Sequence, residues 1–171
     1  MQLITVRQLG VDDAAAFLAT RQRALRDHPD VYTSTAEEWD VPVSHAVERI
    51  QRNIVFGGFV DDTLAGVVTL SLTARRATKQ RHKAEIWSVY VAPEHRGLGI
   101  ARAMMVQTIA EAKLLGFFSV MLSVADGNVV ALKLYESMGF LRYGTEPRAI
   151  RLPENGQFID NHFMQLDLIE P

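Results

Sequence analysis

The stretch Val89-Tyr90-Val91-Ala92-Pro93-Glu94-His95-Arg96-Gly97-Leu98-Gly99-Ile100-Ala101 reads as a β-strand that passes through a glycine-containing turn into a helix. That succession builds an anion site from backbone alone. The first N–H groups of a helix have no internal partner, and the helix dipole adds partial positive charge there. Gly97 and Gly99 carry no Cβ that would hold a phosphate away, so a diphosphate ligand is the natural occupant.

Spacing separates the phosphate-loop alternatives. The P-loop pattern Gly-x-x-x-x-Gly-Lys-Ser/Thr occurs nowhere in the chain. A dinucleotide fingerprint needs Gly or Ala at its third position for close helix-to-strand packing, and Arg102 stands there. A nicotinamide oxidoreductase is therefore a distant reading. Arg96-x-x-Gly99-x-Ala101 does satisfy an Arg/Gln-x-x-Gly-x-Gly/Ala pattern. Further on, Asn128-x-x-Ala131-x-x-x-Tyr135-x-x-x-Gly139-Phe140 places a capping residue, an apolar face through 131, 134, 135 and 138, and a terminating glycine in one helix. Between the two blocks, Phe117 to Val124 is a strand candidate. In this order the blocks resemble the GNAT superfamily of acyl-CoA-dependent N-acyltransferases, closely from Glu85 to Phe140 and in outline elsewhere.

Periodicity in the rest of the chain agrees with that architecture. Leu3 to Leu9 alternates as a strand. Asp12 or Asp13 can cap a helix that runs through Phe17, Leu18, Ala24 and Leu25 and stops at His28-Pro29. Asp30 to Pro42 is irregular, and a short helix follows from Ser44 to Arg52. Strands are expected over Ile54 to Val60 and Leu64 to Thr73, joined by a turn at Asp61-Asp62-Thr63. Ala84 to Val91 forms the next strand, and the helix behind the glycine turn presents Leu98, Ala101, Met105, Thr108, Ile109 and Ala112 inward before ending at Gly116. Strands from Phe140 to Thr145 and from Phe158 to Leu168 complete the set, with a turn at Asn155-Gly156. The expected fold is α/β, a mixed sheet of six to seven strands flanked by about four helices, in one domain over residues 1–171.

Composition bounds the function. The chain has 171 residues, 48% of them hydrophobic, enough for one sizeable core. A formal net charge of -2 argues against non-specific nucleic-acid binding, and no apolar run approaches the ~20 residues of a membrane span. Residues Met1 to Arg7 read as a strand and lack the features of a signal peptide, so a cytoplasmic protein is expected. The absence of cysteine excludes a thiol nucleophile and a Cys-based zinc site. No Gly-x-Ser-x-Gly elbow is present, and histidines 28, 45, 82, 95 and 162 show no paired metal-ligand spacing. Acyl transfer is then direct, without a covalent enzyme intermediate or a metal.

The resemblance implies that acetyl-CoA is the co-substrate. Its pyrophosphate would lie on the backbone from Arg96 through Gly97, Leu98, Gly99 and Ile100 to Ala101, and its pantetheine arm along Val89, Tyr90 and Val91, with Asn128 and Tyr135 completing the site. Arg96 either assists the phosphates by charge or is a solvated turn residue, and Arg102 reads as a surface residue. The resemblance places an oxyanion donor in the backbone of the Glu85–Val91 strand, at Val89 or Val91. Tyr135 falls on the family's motif tyrosine and would give a proton to the departing thiolate; the alternative is a core tyrosine.

Glu85 is the candidate general base, because alternation from Glu85 places 85, 87, 89 and 91 on one side of the sheet; a surface glutamate paired with Lys83 or Arg81 is the competing reading. Tyr90, Asp160 and His162 are further candidates for proton transfer or substrate contact, and Trp87 reads as packing. The acceptor wall is expected from Tyr32 to Trp39 and from Pro147 to Asp160. Glu37, Glu38 and Asp40 could attract a cationic amine, or keep their loop soluble, and the basic run from Arg75 to Lys83 is a solvated hairpin tip or a lure for an acidic substrate. The function implied is acetyl transfer to a primary amine of a small molecule or peptide. A catalytically silent CoA-binding module, or use of another acyl-CoA, is the alternative, and a homodimer is the family analogy.

Overall fold

The computed structural model describes residues 3–72 and 77–169. Thr73, where the third strand was expected to end, and Arg75 and Arg76 of the basic run lie outside the described residues, as do Met1 and Gln2. In chain order the elements are β1 (Ile4–Gln8), α1 (Ala14–Asp27), α2 (Val43–Arg52), β2 (Ile54–Val60), β3 (Thr63–Ser71), β4 (Lys83–Val91), α3 (Ile100–Leu114), β5 (Ser119–Ala125), α4 (Val129–Ser137), β6 (Leu141–Arg151) and β7 (Phe158–Asp167). The strands form one seven-stranded sheet in the order β1-β2-β3-β4-β5-β7-β6. Among the described strands, β4 and β5 alone pair in parallel.

Two hydrophobic layers cover the sheet. On one face Ile100, Met104 and Met105 of α3 join Val68, Leu70, Ile86, Val120 and Leu122, with Tyr135 and Phe140 extending the same cluster. On the other, Phe17, Leu18 and Leu25 of α1 and Ala46 and Ile50 of α2 enclose Trp39, Val55, Phe59 and Val67. Adjacent Val67 and Val68 belong to opposite layers, as the pleat of a strand buried on both faces requires. Burying a side chain such as Met104, with no exposed surface, contributes about 1.5–3 kcal/mol. Gly58 lets α3 lie close on the sheet, since a Cβ there would overlap Ile100 and Met104.

Several local expectations are corrected. Asp13 sits at the start of α1 but makes no side-chain cap for it; its carboxylate instead accepts from Nη1 and Nη2 of Arg7 at 2.8 Å each and from the Gly10 N–H at 2.8 Å. The inward face of α3 is Ile100, Met104, Met105, Thr108 and Ala112, with Ile109 partly buried against the same core as expected, whereas Leu98 stays in the turn, 40% exposed. The helix begins one residue after Gly99, so its apolar face is phased from Ile100. β6 runs to Arg151 and not to Thr145, because it is an edge strand and an irregularity between Glu146 and Ile150 accommodates Pro147.

The correction with most bearing on function is in β4. Val67 pairs with Tyr90 but Thr69 pairs with Trp87, so Ser88 and Val89 together oppose Val68. This is a β-bulge, and Ser88 adopts a left-handed φ of 58° to make it. One extra residue reverses the alternation. Ala84 and Ile86 face the α3 layer, and beyond the bulge Val89 and Val91 pack against that layer while Tyr90 meets Ala24 of α1. Residues 85, 87, 89 and 91 therefore do not share one side.

Candidate active site

β4 and β5 are joined only at Lys83–Ser119, Ala84–Val120 and Glu85–Met121. Past Glu85 they diverge, and the bulge at Ser88 lies where the gap opens. Ala92 donates its N–H to Ala65 of β3 at 2.8 Å. Alternation along the strand then turns the N–H and C=O groups of Val91 and Val89 toward the gap, where no strand lies opposite. Tyr32 donates its hydroxyl to the Val89 carbonyl at 3.0 Å, and Arg96 Nε donates to the Val91 carbonyl at 3.1 Å. Both carbonyls are thus occupied by side chains of this chain.

One cavity, of about 530 Å³, lies on the α3 side of the gap. Its lining includes Val89 to Val91, Arg96, Gly97, Gly99 and the first turn of α3. Gly97 and Gly99 both adopt φ 78°, a left-handed conformation that L side chains rarely take. A Cβ at either would meet open space, so backbone geometry and not crowding selects glycine. Gly99 is the N-cap of α3 and supplies no side-chain cap, which leaves the first amides of a 15-residue helix directed at the cavity. On the facing wall, Asn128 caps α4 by accepting the Ala131 N–H at 3.3 Å, and Val130, Ala131 and Leu134 make the surface apolar. Open amides beside an apolar trough fit a molecule with a diphosphate at one end and a flexible neutral arm at the other.

A second cavity, of about 380 Å³, lies on the α1–α2 side. Arg21, Thr33, Ser34, Trp39, Arg49, Trp87, Ser88, Ser123 and Asn161 contribute to its wall. Val31, Tyr32, Val89, Asn128 and Tyr135 line both cavities, so the two meet at a neck between the diverging strands. Burial, with a smaller contribution from Tyr32, pushes the Tyr135 phenol well above its ordinary range and keeps it neutral. Burial likewise pushes Tyr32 up to about 12, with Arg21 and Arg96 opposing the rise.

A protein-family model, the acetyltransferase (GNAT) family, matches residues 18–140. The chain belongs to the GNAT acetyltransferase family. Among its relatives, a mycothiol acetyltransferase from Thermobispora bispora is 33% identical over 137 residues, covering 77% of this chain and 44% of the relative. An L-amino acid N-acyltransferase, MnaT, from Escherichia coli K12 is 34% identical over 90 residues, 53% of this chain and 51% of MnaT. The chain thus spans about half the length of these curated relatives, or less. The fold is similar to that of yncA from Salmonella typhimurium, solved with its cofactor acetyl-CoA: TM-score 0.86, 23% identity, covering 99% of this chain and 96% of that one.

Within this GNAT fold, the residues expected to bind the co-substrate converge on one cavity, except Leu98, which is absent from its wall. Arg102 is an exposed residue on α3, as expected, at the rim of this cavity, and it donates to Ser137. Arg96 is tied back to Val91 and approaches His28 Nε2 at 2.6 Å. Glu85 is not among the residues lining either cavity; its Oε2 accepts the Trp87 indole N–H at 3.0 Å. Tyr90 donates to Asp27 at 2.8 Å, and burial with that bond raises its phenol. His162 is buried between Thr145, at 2.9 Å, and Asp126, at 3.0 Å, and Asp160 accepts the Arg148 N–H. Neither Tyr90 nor His162 nor Asp160 lines the second cavity.

Of the expected acceptor wall, Tyr32, Thr33, Ser34 and Trp39 do line the cavity, and from the Pro147–Asp160 side only the adjoining Asn161 does. Trp87 lines it too. Glu37, Glu38 and Asp40 are not on this wall; Glu38 instead accepts the Thr35 N–H at 2.9 Å. The sequence reading missed Arg21 and Arg49. Arg21 occupies the inward face of α1, between Leu18 and Leu25, and a charge on an otherwise apolar stripe was the available signal. Among the described residues no group of three or more His, Cys, Asp or Glu could hold a metal ion, and no helix is long and apolar enough to cross a membrane.

Proposed function

We propose that the protein is an N-acetyltransferase that moves an acetyl group directly from acetyl-CoA to the primary amine of a small molecule. The observation that carries this reading is the neck: a cavity lined by strand and helix-start backbone and a side-chain-lined cavity adjoin, with Val89 and Tyr135 in the wall of both. Acetyl-CoA supplies an activated thioester. The open amides at Gly99–Ala101 would hold its diphosphate, and the N–H of Val89 or Val91 would donate to the carbonyl oxygen as it gains charge. A neutral amine from the other cavity forms the N–C bond as the C–S bond breaks. Tyr135, kept protonated by burial, gives its proton to the sulfur and recovers one from solvent. The proton lost by the amine would pass through water, with Glu85, oriented by Trp87, as its acceptor.

The curated relatives support a small acceptor in preference to a protein: two of them are named for mycothiol and for L-amino acids. The test is release of free CoA when the protein is incubated with acetyl-CoA and a panel of primary amines, with the acetylated amine identified by mass. Stoichiometric CoA and N-acetyl product are expected. Tight acetyl-CoA binding with no product from any amine sinks the catalytic reading and leaves a silent CoA-binding module. Glu85→Gln should alter the pH–rate profile; an unchanged profile removes Glu85 from the mechanism.

A further inference from the structure

The acceptor-side cavity carries two guanidinium groups, Arg21 from α1 and Arg49 from α2, and no Asp, Glu, Lys or His among its described lining residues. Arg21 is only 6% exposed, and its Nε and Nη1 find no hydrogen-bond partner. What holds it is the faces of rings. Its guanidinium carbon lies 4.6 Å from the Tyr32 ring centroid and 5.2 Å from that of Trp39, and Arg49 approaches the same Trp39 ring at 5.2 Å. Cation–π contact stabilises the charge across the plane of the guanidinium but leaves its N–H edge unbonded. A buried cation with an unbonded edge is costly, and a second cation beside it adds repulsion. Such an arrangement is completed by an anion, and the planar fork of Arg matches a carboxylate in two-point fashion.

We infer that the acceptor is a primary amine that also carries a carboxylate, bound so that Arg21 and Arg49 hold the carboxylate while the amine points to the neck at Val89 and Tyr135. This rests on the N-acyl transfer proposed above and adds the substrate class. Thr33, Ser34, Ser123 and Asn161 offer neutral hydrogen-bonding groups to the rest of such a molecule. Polyamines and other acceptors with additional cationic groups meet two positive charges and no compensating acid, and are excluded.

The test pairs each free α-amino acid of a panel with its C-terminal amide and its decarboxylated amine, following CoA release. We expect the free acid to exceed its amide by about 100-fold in kcat/KM for the preferred side chain, as a site built around a polar group rejects the analogue lacking it. Arg21→Lys, which keeps the charge but not the fork, should cut that preference by about 10-fold. If Arg21 variants do not fold, Arg49→Gln provides the same comparison from α2. Binding is read independently of turnover. Both tryptophans of the chain, Trp39 and Trp87, line this cavity, so titration with an N-acetylated amino acid should change intrinsic fluorescence saturably, and its amide should not.

Amides or decarboxylated amines accepted as well as free acids overturn the inference and leave N-acyl transfer standing. No transfer to any amine defeats the functional reading, and the fluorescence titration then decides the anion site alone: equal responses to acid and amide reject it.

Discussion

The two cavities that meet at Tyr135 are made of different material. The donor side is built from backbone: left-handed glycines, the uncapped start of α3, and strand amides exposed by the divergence of β4 from β5. The acceptor side is built from side chains, with Arg21, Trp39, Arg49 and Trp87 brought in from α1, the loop after it, α2 and β4. Backbone groups are common to every residue, so the first surface survives wide sequence change provided its turns are kept. The second surface is reshaped by any one substitution in its wall. A fixed donor facing a variable acceptor is what such a division produces.

The largest effect should come from breaking the backbone half. Gly99→Val places a β-branched residue at φ 78°, where strain of about 1–3 kcal/mol is expected, and projects a side chain over the helix N-terminus. The KM for acetyl-CoA should rise about 100-fold or more while the acceptor KM moves little. Equal damage to both would show that the halves are not separable. At the shared neck, Tyr135→Phe should lower kcat about 100-fold and leave acetyl-CoA affinity near the wild-type value.

The same residue fixes a pH expectation. Because burial raises the Tyr135 phenol, its acid form persists beyond the ordinary value of about 10. The wild-type rate should therefore climb as the attacking amine loses its proton and show no decline up to about pH 10. A descending limb between pH 7 and 9 would contradict the assignment of Tyr135 as the acid.

The contrast also explains what could be read from the chain beforehand. The donor half is encoded in contiguous residues, Val89 to Ala101 and Asn128 to Phe140, where spacing alone reports a turn and a helix start. Arg21 and Arg49 lie 28 positions apart on separate helices and meet only because α1 and α2 pack over the same sheet face around Trp39. No local pattern announces that. The bulge at Ser88 was hidden for another reason. Glu85 to Val91 carries no residue-type signal that marks an extra residue, and only pairing with β3 reveals that Ser88 and Val89 together oppose Val68.

That bulge is the hinge between the halves. Ser88→Val puts a β-branched residue at φ 58° and should cost about 2 kcal/mol, a fall of roughly 4–8 °C in Tm for a chain of this size. Ser88→Gly relieves the same strain and should hold or raise Tm. If both variants melt with the wild type, the left-handed residue is not what shapes β4.

The smallest expected effect addresses whether the halves communicate through α1, which carries Arg21 to the wall of one cavity and Arg23 to the turn before the glycine loop. Arg23 grips Glu94, in the turn that leads into the glycine loop, through two contacts of 2.6 and 2.7 Å. The partners are 43% and 50% exposed, so water and salt screen them. Glu94→Gln should accordingly raise the acetyl-CoA KM by no more than about 3-fold, and added salt should erase the difference. Arg23 holds the Glu94 carboxyl down to about 2, below its ordinary value. A depressed carboxyl contributes its stabilisation above the unfolded value of about 4.3 and loses it as pH falls through the folded value, so the pair stays intact across the working pH range and weakens only between about pH 4 and 2. A Glu94→Gln effect on the free-acid preference larger than its effect on acetyl-CoA would mean that α1 shifts as a unit, and the two surfaces would then have to be treated as one.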